Sequence, residues 1–174
     1  MYYASSRNHP NIIELLIDAG ADVNGTMEHN GDTPAIVASE NDSTEALECL
    51  IKNGANINQT NDNGENAIFC ASRYNTKETL AIVKMLHKNG CSINQTNVDG
   101  FNPVMWASKH GNYKILGYLL QHENCDFETK NNDDKNAFDL ATEGNHVRCL
   151  NLLNLYKNEK SGGNAGNNRR RRRR

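Results

Sequence analysis

The sequence predicts an all-α solenoid of about four to five helix-turn-helix units with β-turn tips, ending in a disordered C-terminal tail. Three observations carry this. The stretch Asn53-Gly54-Ala55-Asn56-Ile57-Asn58-Gln59-Thr60-Asn61 returns as Asn89-Gly90-Cys91-Ser92-Ile93-Asn94-Gln95-Thr96-Asn97. Shorter copies read Ala19-Gly20-Ala21-Asp22-Val23-Asn24 and, weakly, Glu123-Asn124-Cys125-Asp126-Phe127-Glu128. The copies recur about every 34 residues, inside the period range of stacked repeats. Hydrophobic content is 37% and mean hydropathy is -0.76, both low for a compact ball. A solenoid tolerates this, because each unit buries only a thin apolar layer against its neighbours.

Residues 1–160 divide into a partial unit 1–30, then 31–63, 64–99, 100–134 and 135–160. The first unit reads as one whose beginning is missing, with Met1 already inside its first helix. Pro10 opens its second helix, where a missing N–H costs nothing. Ile12, Ile13, Leu15, Leu16 and Ile17 follow as an apolar stripe, and Gly20 ends the helix. In the second unit Thr33 caps a helix that begins at Pro34. Asp42-Ser43-Thr44 breaks and recaps, and Ala46, Leu47, Cys49, Leu50 and Ile51 face inward. The third unit carries Ile68, Phe69 and Cys70, then Ile82, Val83, Met85 and Leu86. An insertion near Tyr74-Asn75-Thr76-Lys77 predicts a bulge at its helix-helix turn. The fourth places Val104, Met105 and Trp106 before Ile115, Leu116, Leu119 and Leu120. Its exit lacks glycine, so Asn124 is expected to supply the left-handed residue. The fifth interleaves Asn151, Asn154 and Asn158 with its leucines, as a terminal unit facing water requires. Residues 161–174 are low-complexity tail. The 28 asparagines fall largely in predicted turns.

The formal net charge of -2 hides an asymmetry. Arg169 to Arg174 are all arginine; without them 13 basic residues face 21 acidic ones, an acidic body with a basic tail. Cys49, Cys70, Cys91, Cys125 and Cys149 share no zinc spacing and sit at apolar repeat positions, as buried reduced thiols do. No signal peptide or membrane span is visible, which points to an intracellular chain, cytoplasmic, nuclear or within a host cell.

This layout resembles the ankyrin repeat. The matching helix starts are Thr33-Pro34-Ala35-Ile36-Val37-Ala38, Asn66-Ala67-Ile68-Phe69-Cys70-Ala71, Asn102-Pro103-Val104-Met105-Trp106-Ala107 and Asn136-Ala137-Phe138-Asp139-Leu140-Ala141. The family's histidine is replaced by Ile36, Phe69, Met105 and Asp139. In the family that histidine ties neighbouring turns together, so its loss predicts looser turns and modest stability. The resemblance also places Asn24, Asn58 and Asn94 where asparaginyl hydroxylases act on some ankyrin proteins.

No catalytic constellation emerges. The six histidines share no spacing with a nucleophile, Ser39, Ser72 and Ser108 are repeat residues, and no glycine-rich loop cradles phosphate. No cofactor or metal is implied. Trp106 shares a repeat position with Val37, Cys70 and Leu140 and reads as core.

The resemblance implies a monomeric, non-enzymatic interaction module that grips a partner protein on a concave face of turn tips and first helices. The positions that carry this are Asp32, Glu40, Asp62, Glu65, Arg73, Tyr74, Asp99, Phe101, Lys109 and His110. An exposed Phe101 at a turn tip and Tyr74 are the expected anchors, with the acids favouring a basic partner. The arginine run suggests an alternative, unspecific binding of nucleic acid or an anionic surface. A third reading is a piece of a larger ankyrin-containing protein.

Overall fold

A computed structural model describes the backbone of residues 1–170 and the side chains of residues 1–160. The described chain has ten helices and no strand. They are α1 (Tyr2–Ser6), α2 (Pro10–Asp18), α3 (Pro34–Glu40), α4 (Thr44–Lys52), α5 (Ala67–Ala71), α6 (Lys77–Lys88), α7 (Pro103–Lys109), α8 (Tyr113–Leu120), α9 (Ala137–Glu143) and α10 (Val147–Arg170). The odd-numbered helices pack on one another as an inner row, the even-numbered ones as an outer row, and each inner helix packs on its own outer helix. The expected tail, 161–174, lies outside the residues described in full.

Local chemistry sets each helix start. Thr33 accepts the Ile36 N–H, Asn66 that of Phe69, and Asn102 that of Met105. Asparagine therefore caps as well as threonine does. Asn136 and Asp139 form a capping box, each bonding the other's backbone. Between paired helices the chain reverses through a left-handed residue, at Asn8, Asp42, Gly111 and Asn145.

Two sequence expectations fail locally. Asn124 is not left-handed. The extra residue there lets α8 run out through Gln121 into a further turn, closed by Cys125 N–H on His122 O, so no reversal is needed. The insertion of the third unit does not bulge. It becomes an added turn at the start of α6, capped by Thr76 on the Thr79 N–H. Both threonine hydroxyls donate to Asp42 of the preceding unit, at 3.0 and 2.8 Å.

The core is a continuous seam between the rows. Ile13, Leu47, Leu50, Ile82, Leu86, Ile115, Leu116 and Leu119 are fully buried in it. A smaller cluster of Phe69, Phe101, Met105 and Leu140, with Trp106 against it, lies beneath the inner row. Each exit loop inserts one apolar side chain, Val23, Ile57, Ile93 or Phe127. The same loops are laced by asparagine. Asn24 accepts the Asn56 N–H, Asn58 the Ser92 N–H and Asn94 the Asp126 N–H, while Asn58 Nδ2 donates to Gly90 O and Asn94 Nδ2 to Asn124 O. The exit asparagines thus join one unit to the next.

Candidate interaction surface

Three of the β-turn tips are each built around one asparagine. Asn97 Oδ1 accepts the N–H groups of Asp99 and Phe101. Asn61 does the same for Asn63 and Glu65, and Asn131 for Asp133 and Lys135. Successive tips are joined by backbone bonds, Asp62 N–H to Asn30 O, Val98 N–H to Asn63 O and Asn132 N–H to Asp99 O. The turns are therefore not loose. Asparagine does the tying expected of the missing histidine, whose places Ile36, Phe69 and Met105 fill as fully buried core.

The tip asparagines also reach inward. Asn61 Nδ2 donates to Asp32 Oδ1 at 2.9 Å and Asn97 Nδ2 to Glu65 Oε1 at 3.3 Å. Asp32 and Glu65 are buried and so lie below the tips, where they cannot meet a partner directly. Arg73 bridges Glu40 at 3.0 Å and Glu65 at 2.5 Å. Two carboxylates, Glu40 and Glu65, thus share one guanidinium. Burial, and secondarily the Asp32 charge, hold the Glu40 carboxyl above its ordinary range against the opposing pull of Arg73. Cys70 lies among these groups, and its buried thiol is pushed far up. Cys91 and Cys149 are raised to about 11 and Cys125 to about 12 by burial. All five cysteines are free and buried, and act as small hydrophobes.

Arg73 lies over the Trp106 ring at 5.4 Å. Trp106 in turn meets Phe69, Phe101 and His110, with ring centroids 5.4, 5.2 and 4.9 Å apart. Lys109 Nζ sits 4.8 Å from the Phe101 ring and 4.9 Å from that of Trp106. Burial and the neighbouring Lys109 charge keep the His110 imidazole below its usual range.

Seven of the ten sequence-selected residues therefore meet in one network, running Asp32–Glu65–Arg73–Glu40 and on through Trp106 to Phe101, Lys109 and His110. Asp62 and Asp99 stand exposed on their tips. Tyr74 is 43% exposed on the helix-helix turn and takes no part in the network. Phe101 needs correction. It is 7% exposed, because its ring turns down onto Trp106 beneath Lys109. Trp106 is the residue that sequence reasoning missed. It is half-buried and joins the two halves of the network. Its spacing from His110, four residues along a helix, is the signal that could have found it.

A family model described as ankyrin repeats (3 copies) matches residues 1–97 and 75–161. The chain belongs to the ankyrin-repeat family. No curated protein matches it. Ankyrin repeats are protein–protein interaction modules, and this array presents the usual two parts, projecting turn tips and an inner helical row. Among the described residues no helix is long and apolar enough to cross a membrane.

Proposed function

We propose that this ankyrin array is a non-enzymatic module that binds a basic segment of a partner protein along its turn tips and inner helices. The observation that carries this is an exposed carboxylate on each joined tip, Glu28, Asp62, Asp99 and Asp133. Acid on successive tips suits an extended basic ligand that runs from unit to unit. Behind the tips, Glu40 and Glu65 share a single guanidinium while the buried Asp32 bonds asparagine amides, so the groove holds more negative charge than Arg73 neutralises. A lysine or arginine entering there offsets the excess. The exposed Lys109 sets the opposite sign at the fourth unit, and this polarity would orient the ligand. Phe101 supports the groove from below, and Trp106 offers a ring edge to the ligand.

The test is capture of partner proteins by the chain and by a variant carrying Asp62→Asn, Asp99→Asn and Glu40→Gln. Partners should be lost, or retained only at low salt, in the variant. Equal capture by both would sink the reading. Removing residues 169–174 should leave capture intact; complete loss with steep salt dependence would instead favour the arginine run as the binding element.

A further inference from the structure

One ammonium of the chain sits in a corner made of two aromatic rings. The Phe101 and Trp106 rings meet edge to face, 89° apart, with centroids 5.2 Å from each other. Lys109 Nζ lies 4.8 Å from the first and 4.9 Å from the second, so both walls attract it. The walls are fixed from behind. Phe101 belongs to the buried cluster of Phe69, Met105 and Leu140. Trp106 is held by Phe69 and His110, with centroids 5.4 and 4.9 Å away, and by the Arg73 guanidinium at 5.4 Å. Walls that need no ordering on binding make a preformed seat. The occupant is held by little else. Lys109 is exposed, and among the described residues no carboxylate lies within ion-pair distance of its ammonium. Its side chain can swing into water and leave the corner open, losing only exposed cation–π contacts.

Building on the reading that a basic segment lies along the turn tips and inner helices, we propose that the Phe101–Trp106 corner seats one lysine of that segment, and that Lys109 fills the corner with its own ammonium until the incoming lysine displaces it. Shape selects lysine over arginine. A compact ammonium touches two perpendicular rings at once, whereas a planar guanidinium stacks on one face. Charge does not bar entry. Arg73, over the same tryptophan, is already paired with Glu40 and Glu65, and the Asp32 carboxylate lies in the same network through Asn61. The released Lys109 keeps its positive sign at the fourth unit. It also acts as a built-in competitor. A free lysine gains nothing over Lys109, but a lysine carried by a segment already held on the tips arrives at high effective concentration. The corner therefore opens for a segment and stays closed to single cations.

Titration of the full chain and its variants with octalysine and octaarginine at constant ionic strength tests this. Lys109→Ala and Lys109→Met both remove the charge, but only alanine opens the corner, because the methionine side chain still covers the rings. Octalysine should bind Lys109→Ala about two- to five-fold more tightly than Lys109→Met, the size of one exposed cation–π contact. Octaarginine should bind the two alike. Trp106 is the only tryptophan, so its emission reports on the corner. Octalysine should shift that emission in Lys109→Ala and leave it unmoved in Lys109→Met. The octalysine gain should shrink when Phe101→Leu is added to Lys109→Ala, since leucine keeps a buried apolar side chain and removes one wall; circular dichroism checks that each variant is folded. Equal octalysine affinity of the two single variants, an unmoved Trp106 in Lys109→Ala, an equal gain for octaarginine or a gain undiminished by Phe101→Leu would each overturn the proposal. If octalysine still binds every chain in those cases, the acidic tips stand as the binding surface without the corner. Octalysine that binds none of the chains would overturn both.

Discussion

Asn97 shows how much one side chain can do in this array. Its carbonyl oxygen closes its own turn tip, and its amide holds the buried Glu65 of the preceding tip. Replacement by alanine leaves two N–H groups and part of a carboxylate without partners. Asn97→Ala should cost about 1–3 kcal/mol in urea unfolding, whereas Asn132→Ala at an exposed tip should cost under about 1 kcal/mol. Phe101 makes the complementary point about apolar groups. Its ring packs on Trp106 and shields the Phe69 cluster. Phe101→Ala should destabilise by about 3 kcal/mol, so a loss of partner binding in that variant reports unfolding unless stability is measured beside it. His87 and His122 pack with ring centroids 4.0 Å apart across the boundary of the third and fourth units. Burial and the His122 charge lower the His87 imidazole. A lowered folded-state value means that the unfolded chain binds the proton more readily. Stability should therefore fall as pH drops below about 6.5, the ordinary histidine value, and His87→Gln should flatten that slope in melting scans between pH 7 and 5.

At the scale of elements, the repeat is carried by how each helix begins and how the chain reverses. The added turn of α6 illustrates why an insertion need not disturb stacking. Once Thr76 caps the helix, extra residues satisfy their own backbone bonds and project along the axis. Thr76 and Thr79 then hold the new turn to Asp42, itself left-handed at φ 55°. Gly111 serves the fourth unit in the same role, at φ 70°. A Cβ there would fall 2.6 Å from the His146 ring, whose Nε2 meets Lys109 O at 3.0 Å. Gly111→Ala should thus lose about 1–2 kcal/mol, from backbone strain and from displacement of the fifth unit. Equilibrium denaturation checks this, and Asn145→Ala, with the strain but an open site, is the comparison.

The whole molecule behaves as a line of units, each stabilised by its neighbours. Hydrogen exchange should be slowest in α3 to α8, which have neighbours on both sides, and fastest in α1 and α2. Most of this architecture is legible in the sequence, because period, capping residues and glycine positions are local properties written every 34 residues or so. The inner and outer rows follow from helical spacing alone. The candidate surface is legible only in outline. Residue type and repeat position brought Glu40, Arg73, Lys109 and His110 onto one side, but not which of their neighbours faces a partner. Phe101 and Trp106 show the reason. Both are aromatic residues of the same unit, and burial of one and partial exposure of the other depend on Phe69 of the unit before and Lys109 of the turn after. The same holds for Asp32 and Glu65, drawn below the tips by asparagines some thirty residues away. The sequence by itself determined the repeat, the caps and the acidic balance, because each depends on nearby residues. Only the tertiary structure decided which charges are buried and which ring is bare, because these depend on what the neighbouring unit places opposite them.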